Sequence, residues 1–221
     1  MMHQNKMKST VLRQGVLLVL SGPSGTGKGT ICKALLRSSP AIHYSISVTT
    51  RTQRTGEENG INYWFVSTDE FNKMRQQEEL LEWAEVYGNY YGTPRHYVEE
   101  QLAAGHDVIL EIDIQGAMKV KKSFPQGVFI YILPPSFDEL EKRIIHRGTD
   151  SAQVIQQRLG CVKEELACAQ DYNYVVINDV VEVATSQIKS IIEAEHCHIS
   201  RNEAVFERIC KFGSLFPEQG Q

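Results

Sequence analysis

The sequence lacks the features that mark membrane and secreted proteins. Its apolar runs, such as Val16 to Leu20, are far shorter than the roughly 20 residues that a membrane-spanning helix requires. The polar start of the chain, residues 1–13, has no apolar centre of the kind found in signal peptides. We therefore predict a cytoplasmic protein with no membrane partner.

Cysteine is also scarce, and its pattern argues against a disulfide framework. The five cysteines are odd in number and include no C-x-x-C pair, which predicts scattered reduced thiols and no zinc site. His196, Cys197 and His198 look like a ligand cluster, but side chains two residues apart on a helix point in different directions. We interpret these three residues as solvated helix positions.

An excess of positive charge is missing as well. The formal net charge of −4 argues against capture of nucleic acid by bulk electrostatics, so any phosphate chemistry must depend on local clusters of lysine and arginine. With 42% hydrophobic and 23% charged residues, the 221-residue chain has the composition of one ordinary globular domain. We expect small-molecule ligands and no nucleic-acid partner.

The chain does contain a regular alternation of strand-length apolar runs with stretches of helical period. This pattern is typical of β-α units whose parallel sheet is covered by helices on both faces. It predicts an α/β fold with three layers, built on a doubly wound parallel sheet. The predicted strands are Val16–Leu20, Val108–Ile112, Val128–Leu133 and Tyr174–Ile177. The predicted helices begin at Lys28, Pro94, Leu140, Asp150 and Val181 and end near Arg37, Gly105, His146, Ala169 and Cys210.

The pattern changes between Tyr44 and Tyr91, where short β-type runs flank one helix with a capping box formed by Ser67 and Glu70. We predict that this stretch is a small α+β lobe inserted into a single domain. The predicted ranges are 14–205 for the domain, 14–46 and 94–205 for its core, about 47–93 for the lobe, about 140–165 for a lid, and 1–13 and 212–221 for tails.

The segment Gly22 to Lys28 satisfies the pattern G-x-x-x-x-G-K and lies between a predicted strand and a predicted helix. Glycine lets successive backbone N–H groups turn toward a polyphosphate, and the helix N-terminus adds a partial positive charge. We expect Lys28 to reach the β- and γ-phosphates. The alternative is a glycine-rich turn without a ligand. The residues predicted to hold the polyphosphate are Ser21, Gly22, Pro23, Ser24, Gly25, Thr26, Gly27, Lys28, Gly29 and Thr30.

Magnesium is expected to accompany the polyphosphate. Gly29 stands where the usual pattern has a serine or threonine whose hydroxyl binds this ion, so we predict that phosphate oxygens and waters hold it. Asp113 follows a predicted strand at the sheet edge where α/β proteins bind ligands, and it is a candidate for holding magnesium-bound waters. Its alternative role is to cap the next helix.

Two arginines three residues apart, Arg51 and Arg54, lie among hydroxyl side chains with few acidic neighbours. Each guanidinium can bind a phosphate through two parallel hydrogen bonds, so this run predicts a second phosphate site. The alternative is an exposed cluster of charge.

Taken together, these motifs and several later ones resemble the guanylate kinase family, and its bacterial members in particular. The resemblance covers about residues 16–201. It implies magnesium-dependent transfer of a phosphoryl group from ATP to GMP, and to dGMP, within purine nucleotide metabolism and GMP recycling. The motifs that carry it are Gly22–Lys28, Ser47–Glu57, Glu82–Ala84, Gly88–Thr93, Ile112–Gly116, Arg147–Gly148 and Val176–Asp179.

The resemblance also implies a GMP site in which arginines and tyrosines bind the 5′-phosphate and Glu82 accepts hydrogen bonds from guanine. Adenine lacks the matching pair of donors, so a desolvated carboxylate rejects it. Thr93 is expected to contact the base, to cap the helix after Pro94, or to do both. Glu111 stands where the family commonly has aspartate. The implied residues are Ser47, Arg51, Arg54, Glu57, Tyr63, Glu82, Tyr91, Thr93, Glu111 and Asp113.

Three arginines of the predicted lid, Arg143, Arg147 and Arg158, are implied to neutralise charge on the transferring group, and Asn178 to contact adenine. The alternative for the arginines is a helix surface without a ligand. The residues implied to act directly in the transfer are Lys28, Arg51, Asp113, Arg147 and Arg158.

Two other functions stay open at this point. A kinase for another nucleoside monophosphate would share the phosphate-binding loop, although Glu82 and the pair of Arg51 and Arg54 disfavour it. Domains that resemble the family also serve as binding modules without catalysis, but their loops are degraded, whereas Lys28 is present here. The sequence leaves open whether the chain forms a homo-oligomer.

Overall fold

The structure, a computed structural model, describes residues 14–146, 160, 162 and 164–213. The strands are β1 (Leu17–Ser21), β2 (Ile42–Tyr44), β3 (Val48–Thr49), β4 (Trp64–Phe65), β5 (Leu80–Val86), β6 (Asn89–Pro94), β7 (Asp107–Glu111), β8 (Val128–Leu133) and β9 (Tyr174–Ile177). The helices are α1 (Lys28–Ser38), α2 (Thr68–Gln76), α3 (Arg95–Ala103), α4 (Ile114–Ser123), α5 (Phe137–His146), α6 (Val181–Cys197) and α7 (Glu203–Gly213).

The larger sheet contains five parallel strands in the order β2-β7-β1-β8-β9. Successive residues of β1 face opposite sides, so that Leu18 and Leu20 pack beneath α1 and α6 while Leu17 and Val19 pack beneath α3 and α4. Each such side chain, fully buried, stabilises the fold by about 2 kcal/mol. Helices cover both faces of the sheet, which confirms the predicted α/β class.

A second sheet, in the order β4-β3-β6-β5, forms the core of the lobe. Its hairpin turns at Tyr87 and Gly88, whose φ angles of 50° and 75° are both positive, as a two-residue turn between twisted strands requires. Phe71 of α2 is fully buried against the sheet. The predicted capping box is confirmed, because the backbone N–H of Glu70 donates to the Ser67 hydroxyl and that of Ser67 to the Glu70 carboxylate.

The sequence pattern does not predict β2 or β6. β2 is only three residues long and lies at the edge of the larger sheet, where it pairs with β7. β6 contains glycine and ends in proline, residues that are depleted in strands. Both strands form because they pair with neighbouring strands, and a local sequence pattern contains no information about such pairing.

The single long helix predicted from Val181 to Cys210 is wrong. α6 ends at Cys197 because His198 adopts an extended backbone with φ −61° and ψ 135°. The side-chain amide of Asn202 donates to the carbonyl oxygens of His196 and His198, each at 2.9 Å. These bonds satisfy carbonyl groups that the end of a helix leaves unpaired. The chain then starts a new helix, α7.

The prediction that His196 is solvated is also wrong. Its side chain is 12% exposed, and its Nε2 lies 2.8 Å from Oδ2 of Asp107. His196 follows Ile188 and Ile192 at intervals of four, so it lies on the face of α6 that packs against the sheet. The neighbouring residues Cys197 and His198 are exposed, as expected.

Several predictions concern residues outside the described ranges. Arg147, Arg158 and most of the predicted lid lie there, as do residues 1–13 and 214–221. The proposed boundaries of the domain, lobe and lid stay predictions. In the described part of the chain, no helix combines the length and the apolar character needed to cross a bilayer.

Candidate functional site

The glycine-rich segment forms a tight loop between β1 and α1. Gly25 and Gly27 have φ angles of 91° and 85°, a left-handed conformation that strains other residues. Space is limiting too, since a Cβ on Gly25 would lie 2.8 Å from Cγ1 of Ile144, and one on Gly27 would lie 2.3 Å from Nδ2 of Asn178. The loop therefore has the backbone shape of a phosphate cradle at the start of a helix.

Lys28, the first residue of α1, folds back over this loop. Its Nζ donates to the carbonyl oxygens of Gly22 at 2.7 Å and Pro23 at 3.0 Å. Burial lowers the pKa of Lys28, while attraction to Glu111, Glu165 and Asp113 acts in the opposite direction. The ammonium group thus lies on the loop, with three carboxylates nearby.

Asn178, the residue after β9, forms a hydrogen bond with the glycine-rich loop. The residue is 3% exposed, and its Nδ2 donates to the carbonyl oxygen of Thr26 at 2.7 Å. Its Oδ1 has no hydrogen-bond partner among the described residues. Arg143 of α5 donates from Nη1 to the Asn178 carbonyl at 3.0 Å and from Nε to Glu139 at 2.8 Å. Asn178 and Arg143 therefore both lie beside the loop.

Two carboxylates lie at and just beyond the end of β7. Glu111 accepts a hydrogen bond from the Tyr44 hydroxyl at 3.2 Å, and its oxygens lie 3.4 and 3.5 Å from where a Cβ on Gly29 would stand. Asp113 is the N-cap of α4 and accepts two backbone N–H groups of that helix. Burial raises its pKa, although these two hydrogen bonds act in the opposite direction. The structure thus bears out helix capping, the alternative role of Asp113.

Arg51 is the centre of a cluster in the lobe. Its Nη2 donates to the two oxygens of Glu57 at 2.8 and 3.0 Å, and its guanidinium carbon lies 5.4 Å from the ring centre of Tyr63. Tyr91 packs edge-on against Tyr63, with ring centres 5.9 Å apart. The structure brings these four residues together from separate segments of the lobe. Glu57, one of the few acidic residues near the two arginines in sequence, is paired with Arg51.

Glu57 also orders the neighbouring Arg54, whose backbone N–H donates to the Glu57 carboxylate at 2.9 Å. Burial acts to raise the pKa of Glu57, but the hydrogen bonds from Arg51 and the Arg54 amide lower it below its ordinary value. Glu57 is therefore ionised near neutral pH. Burial, aided by the charge of Glu111, raises the pKa of Tyr63 to about 12, so this phenol keeps the proton that it can donate.

Glu82 of β5 carries a buried carboxylate and is only 6% exposed. The Thr93 hydroxyl donates to its Oε1 at 2.8 Å. Burial raises the pKa of Glu82 to about 7, although the hydrogen bond from Thr93 acts in the opposite direction. The prediction that Thr93 caps the next helix is wrong, because its hydroxyl is engaged by Glu82 and Pro94 precedes α3 without a side-chain cap among the described residues. Ser47, also buried, lies at the start of the lobe.

The loop and the lobe meet at the carboxyl end of β7. Asp113 acts electrostatically on both Lys28 and Glu82. Glu111 acts in the same way on both Lys28 and Tyr63. The phosphate cradle therefore lies close to the Arg51 cluster and to the buried carboxylate of Glu82.

Comparison with known proteins identifies the family. The family model described as Guanylate kinase matches residues 14–195. The guanylate kinase of Desulfitobacterium hafniense is 54% identical over 195 residues, which cover 88% of this chain and 98% of that protein. The chain belongs to the guanylate kinase family.

Other members of the guanylate kinase family agree with this assignment. The guanylate kinase of Caldanaerobacter subterraneus is 52% identical over 200 residues, covering 90% of this chain and 97% of that protein. A crystal structure of guanylate kinase from Anaplasma phagocytophilum matches with a TM-score of 0.73 and 36% identity, covering 86% of this chain and 90% of that one. The resemblance inferred from the sequence motifs is thereby confirmed.

The residues near the loop fit a magnesium ion held largely by water. Among the described residues, no three acidic, histidine or cysteine side chains converge into a metal-binding group. Each carboxylate oxygen of Asp113 accepts one backbone N–H group, which leaves further lone pairs for ordered water. Magnesium retains several waters when bound, so Asp113 could hold it through them. Gly29 contributes no hydroxyl to such a site.

Sequence reasoning missed two residues that shape this guanylate kinase site. Tyr44 holds Glu111, but it lies in the unpredicted strand β2. Lys119 of α4 donates from Nζ to the carbonyl oxygen of Trp83, and its Nζ lies 4.4 Å from the centre of that ring. Lys119 follows Gly116 by three residues, and this helical spacing is the signal that places both residues on one face of α4.

Proposed function

We propose that this chain is an active guanylate kinase, which transfers the γ-phosphoryl group of ATP to the 5′-phosphate of GMP and forms ADP and GDP. The observation that carries the proposal is that the carboxyl end of β7 faces both regions. Glu111 lies 3.4 Å from the Cβ position of Gly29, next to Lys28, while Asp113 and the lobe residue Glu82 lie 3.0 and 2.7 Å from that of Gly116. Two chemically distinct sites, one suited to a polyphosphate and one to a purine base, therefore lie side by side.

On the donor side, we assign residues Ser21 to Thr30 to the phosphates of ATP, which bind to backbone N–H groups of the loop; Pro23 has no such group. Lys28 exchanges the carbonyl oxygens that it now contacts for oxygens of the β- and γ-phosphates. Arg143, together with Arg147 and Arg158, neutralises charge on the transferring group. The unpaired Oδ1 of Asn178 is suited to accept from the amino group of adenine.

On the acceptor side, we assign Arg51, Arg54, Tyr63 and Tyr91 to the 5′-phosphate of GMP. Guanidinium groups and phenols donate hydrogen bonds to phosphate oxygens without removing their charge. The ion pair with Glu57 supports this role, because it fixes the orientation of the Arg51 guanidinium before the phosphate arrives. Preorganised donors lose less entropy when the ligand binds.

Base selection falls to Glu82, with Thr93 and Ser47 beside it. An ionised carboxylate accepts from the N1–H and the amino group of guanine, whereas adenine presents no such pair of donors. Because Glu82 is buried, binding of the wrong base would leave a desolvated carboxylate without partners. We place Glu111 between the two sites, because its carboxylate lies beside Gly29 and its charge acts on Tyr63.

The transfer itself depends on position and charge more than on a strong base. The second pKa of a phosphate monoester is about 6, so the attacking oxygen is already largely ionised near neutral pH. Magnesium, when bound with ATP, supplies positive charge to the β- and γ-phosphate oxygens. We assign Asp113 to its waters. We place the reaction in cytoplasmic purine nucleotide metabolism, which the free state of Cys32, Cys168, Cys197 and Cys210 supports.

The test is an assay of ADP release with GMP, AMP, CMP or UMP as the acceptor. We expect turnover that requires both GMP and magnesium, that stops on chelation by EDTA, and that resumes when magnesium is restored. Glu82→Gln should lose much of the preference for GMP, because its amide presents a donor where guanine needs an acceptor. Equal turnover of AMP and GMP by the natural chain would assign a different acceptor. Tight GMP binding without turnover would favour a binding module.

A further inference from the structure

Gly116 is the third residue of α4 and lies where the lobe meets this helix. Its φ is outside the left-handed range, so the backbone conformation does not require glycine. Glycine is also a poor helix former compared with alanine. The reason for glycine at this position is therefore spatial.

The space in front of Gly116 is filled by the carboxylate of Glu82. A Cβ at position 116 would lie 2.7 Å from Oε2 and 3.2 Å from Cδ of Glu82, and 3.0 Å from Oδ1 of Asp113. The carboxylate has little freedom to move away, because its other oxygen is bonded to the Thr93 hydroxyl at 2.8 Å in a buried environment. Contacts this short force one of the groups to shift.

The strand that carries Glu82 is itself fixed to the same face of α4. Lys119, one helical turn after Gly116, donates to the carbonyl oxygen of Trp83 and lies over its ring. Arg75 of α2 lies 3.8 Å from the centre of the same ring. Because Trp83, next to Glu82, is held by Lys119 at its carbonyl group and by Arg75 at its ring, a small movement of β5 that would relieve the displaced carboxylate is opposed.

We propose that Gly116 is a specificity-determining position, whose missing side chain keeps the Glu82 carboxylate where it reads guanine. The inference rests on the proposed role of Glu82 in base selection. Gly116 is a positioning residue that acts through Glu82 and does not contact the nucleotide. The N-terminal end of α4, which carries a partial positive charge, favours a carboxylate at this point.

The variant Gly116→Ala tests the proposal, with the natural chain measured alongside. We expect kcat/KM for GMP to fall roughly 10- to 100-fold, mainly through a higher KM, and the preference for GMP over AMP to fall with it. KM for ATP should change less than KM for GMP, because the Cβ would lie 2.7 Å from Oε2 of Glu82 and 3.0 Å from Oδ1 of Asp113. The control Lys122→Ala, at an exposed position of α4, should match the natural chain. An unchanged KM for GMP in Gly116→Ala would overturn the proposal.

A double-mutant cycle separates positioning from general damage to the helix. In the background of Glu82→Ala, the carboxylate is gone, so adding Gly116→Ala should change kcat/KM for GMP by less than about twofold. Full additivity of the two losses would overturn the proposal, since Gly116 would then act through Asp113 or the helix. Should Gly116→Ala alone fail to fold, a folded double variant supports the collision with Glu82, and an unfolded one contradicts it. No GMP-dependent turnover by the natural chain would instead reject the proposed function.

Discussion

The phosphate-binding loop and the lobe differ in the parts of the chain that form their surfaces. The loop, Gly22–Lys28, is a run of successive residues that presents backbone groups, and its shape depends on the positive φ angles of Gly25 and Gly27. The lobe presents side chains, and residues as far apart in sequence as Arg51 and Tyr91 share one cluster. The residues of the backbone site therefore come from one short sequence, whereas those of the side-chain site come from separate segments.

The two regions also hold buried charges of opposite sign. Burial lowers the pKa of Lys28 in the loop and raises the pKa of Glu82 in the lobe. Each shift disfavours the charged form that the proposed function uses. Bound substrate would offset this cost, because phosphate compensates the ammonium and the guanine donors satisfy the carboxylate. Each site is therefore electrostatically incomplete without its ligand, although the two are built in different ways.

Replacement of Lys28 probes the loop and should have the largest effect. In Lys28→Ala, we expect kcat to fall on the order of 10³-fold, because a positive charge aimed at the transferring phosphates is lost. GMP affinity, measured by calorimetry, should stay within about twofold, since the lobe is untouched. The control is Lys33→Ala, an exposed position of α1. A variant that retains more than a tenth of the activity would contradict the role of Lys28.

Arg51→Lys probes the lobe in the same manner. We expect kcat/KM for GMP to fall about 10²-fold, because a lysine ammonium cannot form the parallel pair of hydrogen bonds that a guanidinium makes. KM for ATP should hardly change. The matched control is Arg37→Lys, at an exposed position near the end of α1. If KM for ATP rose as much as KM for GMP, the two sites would not be separate.

The pKa of Glu82, raised to about 7, makes the lobe sensitive to pH. Guanine needs the ionised form, so KM for GMP should fall by up to about 10-fold per unit as pH rises toward 7 and level off above it. The thermal stability of the ligand-free protein is a second readout, which the titration of the GMP phosphate does not affect. The folded ligand-free protein binds the Glu82 proton more tightly than the unfolded chain, so this group destabilises the fold as pH rises from about 4.5 through 7.

The control for that prediction is Glu82→Gln, which carries no titrating group. Its melting temperature relative to the natural chain should rise between pH 5 and pH 8, by an amount equivalent to about 1–3 kcal/mol. A constant difference in melting temperature across this range would mean that Glu82 is ionised throughout.

Ser67→Ala should have the smallest effect, and it tests the capping box at the start of α2. Loss of the cap on α2 should reduce the free energy of unfolding by about 1 kcal/mol, measured by urea denaturation. KM values for both nucleotides should not change, because Ser67 and Glu70 bond to each other and not to Arg51 or Glu82. Thr68→Ala, next in sequence and outside the capping box, serves as the control. Equal destabilisation by both variants would argue against the cap.

Sequence patterns predicted the parallel core better than the lobe. The predicted bounds of β8 and β9 agree with the structure, because both strands are unbroken apolar runs in the sequence. β8 is buried on both faces, whereas Val175 and Ile177 of the edge strand β9 are exposed. In the lobe, β6 was missed because it contains glycine and ends in proline, which are depleted in strands. Thr93 was predicted to cap a helix on local grounds, yet its hydroxyl is engaged by Glu82 from a neighbouring strand. Local propensity failed where a tertiary partner competed for the same group.

Residue types at fixed short intervals were enough to predict the α/β class, the phosphate-binding loop and the family. The packed fold was needed to show that Asp113 caps α4 and acts on both sites, that Glu57 pairs with Arg51, and that Glu82 rests against Gly116. The physical reason differs between these contacts. The cap of α4 and the ion pair are local, but each residue type allows other local partners. The contact between Glu82 and Gly116 joins segments far apart in the chain, so it exists only once the lobe and α4 have packed together.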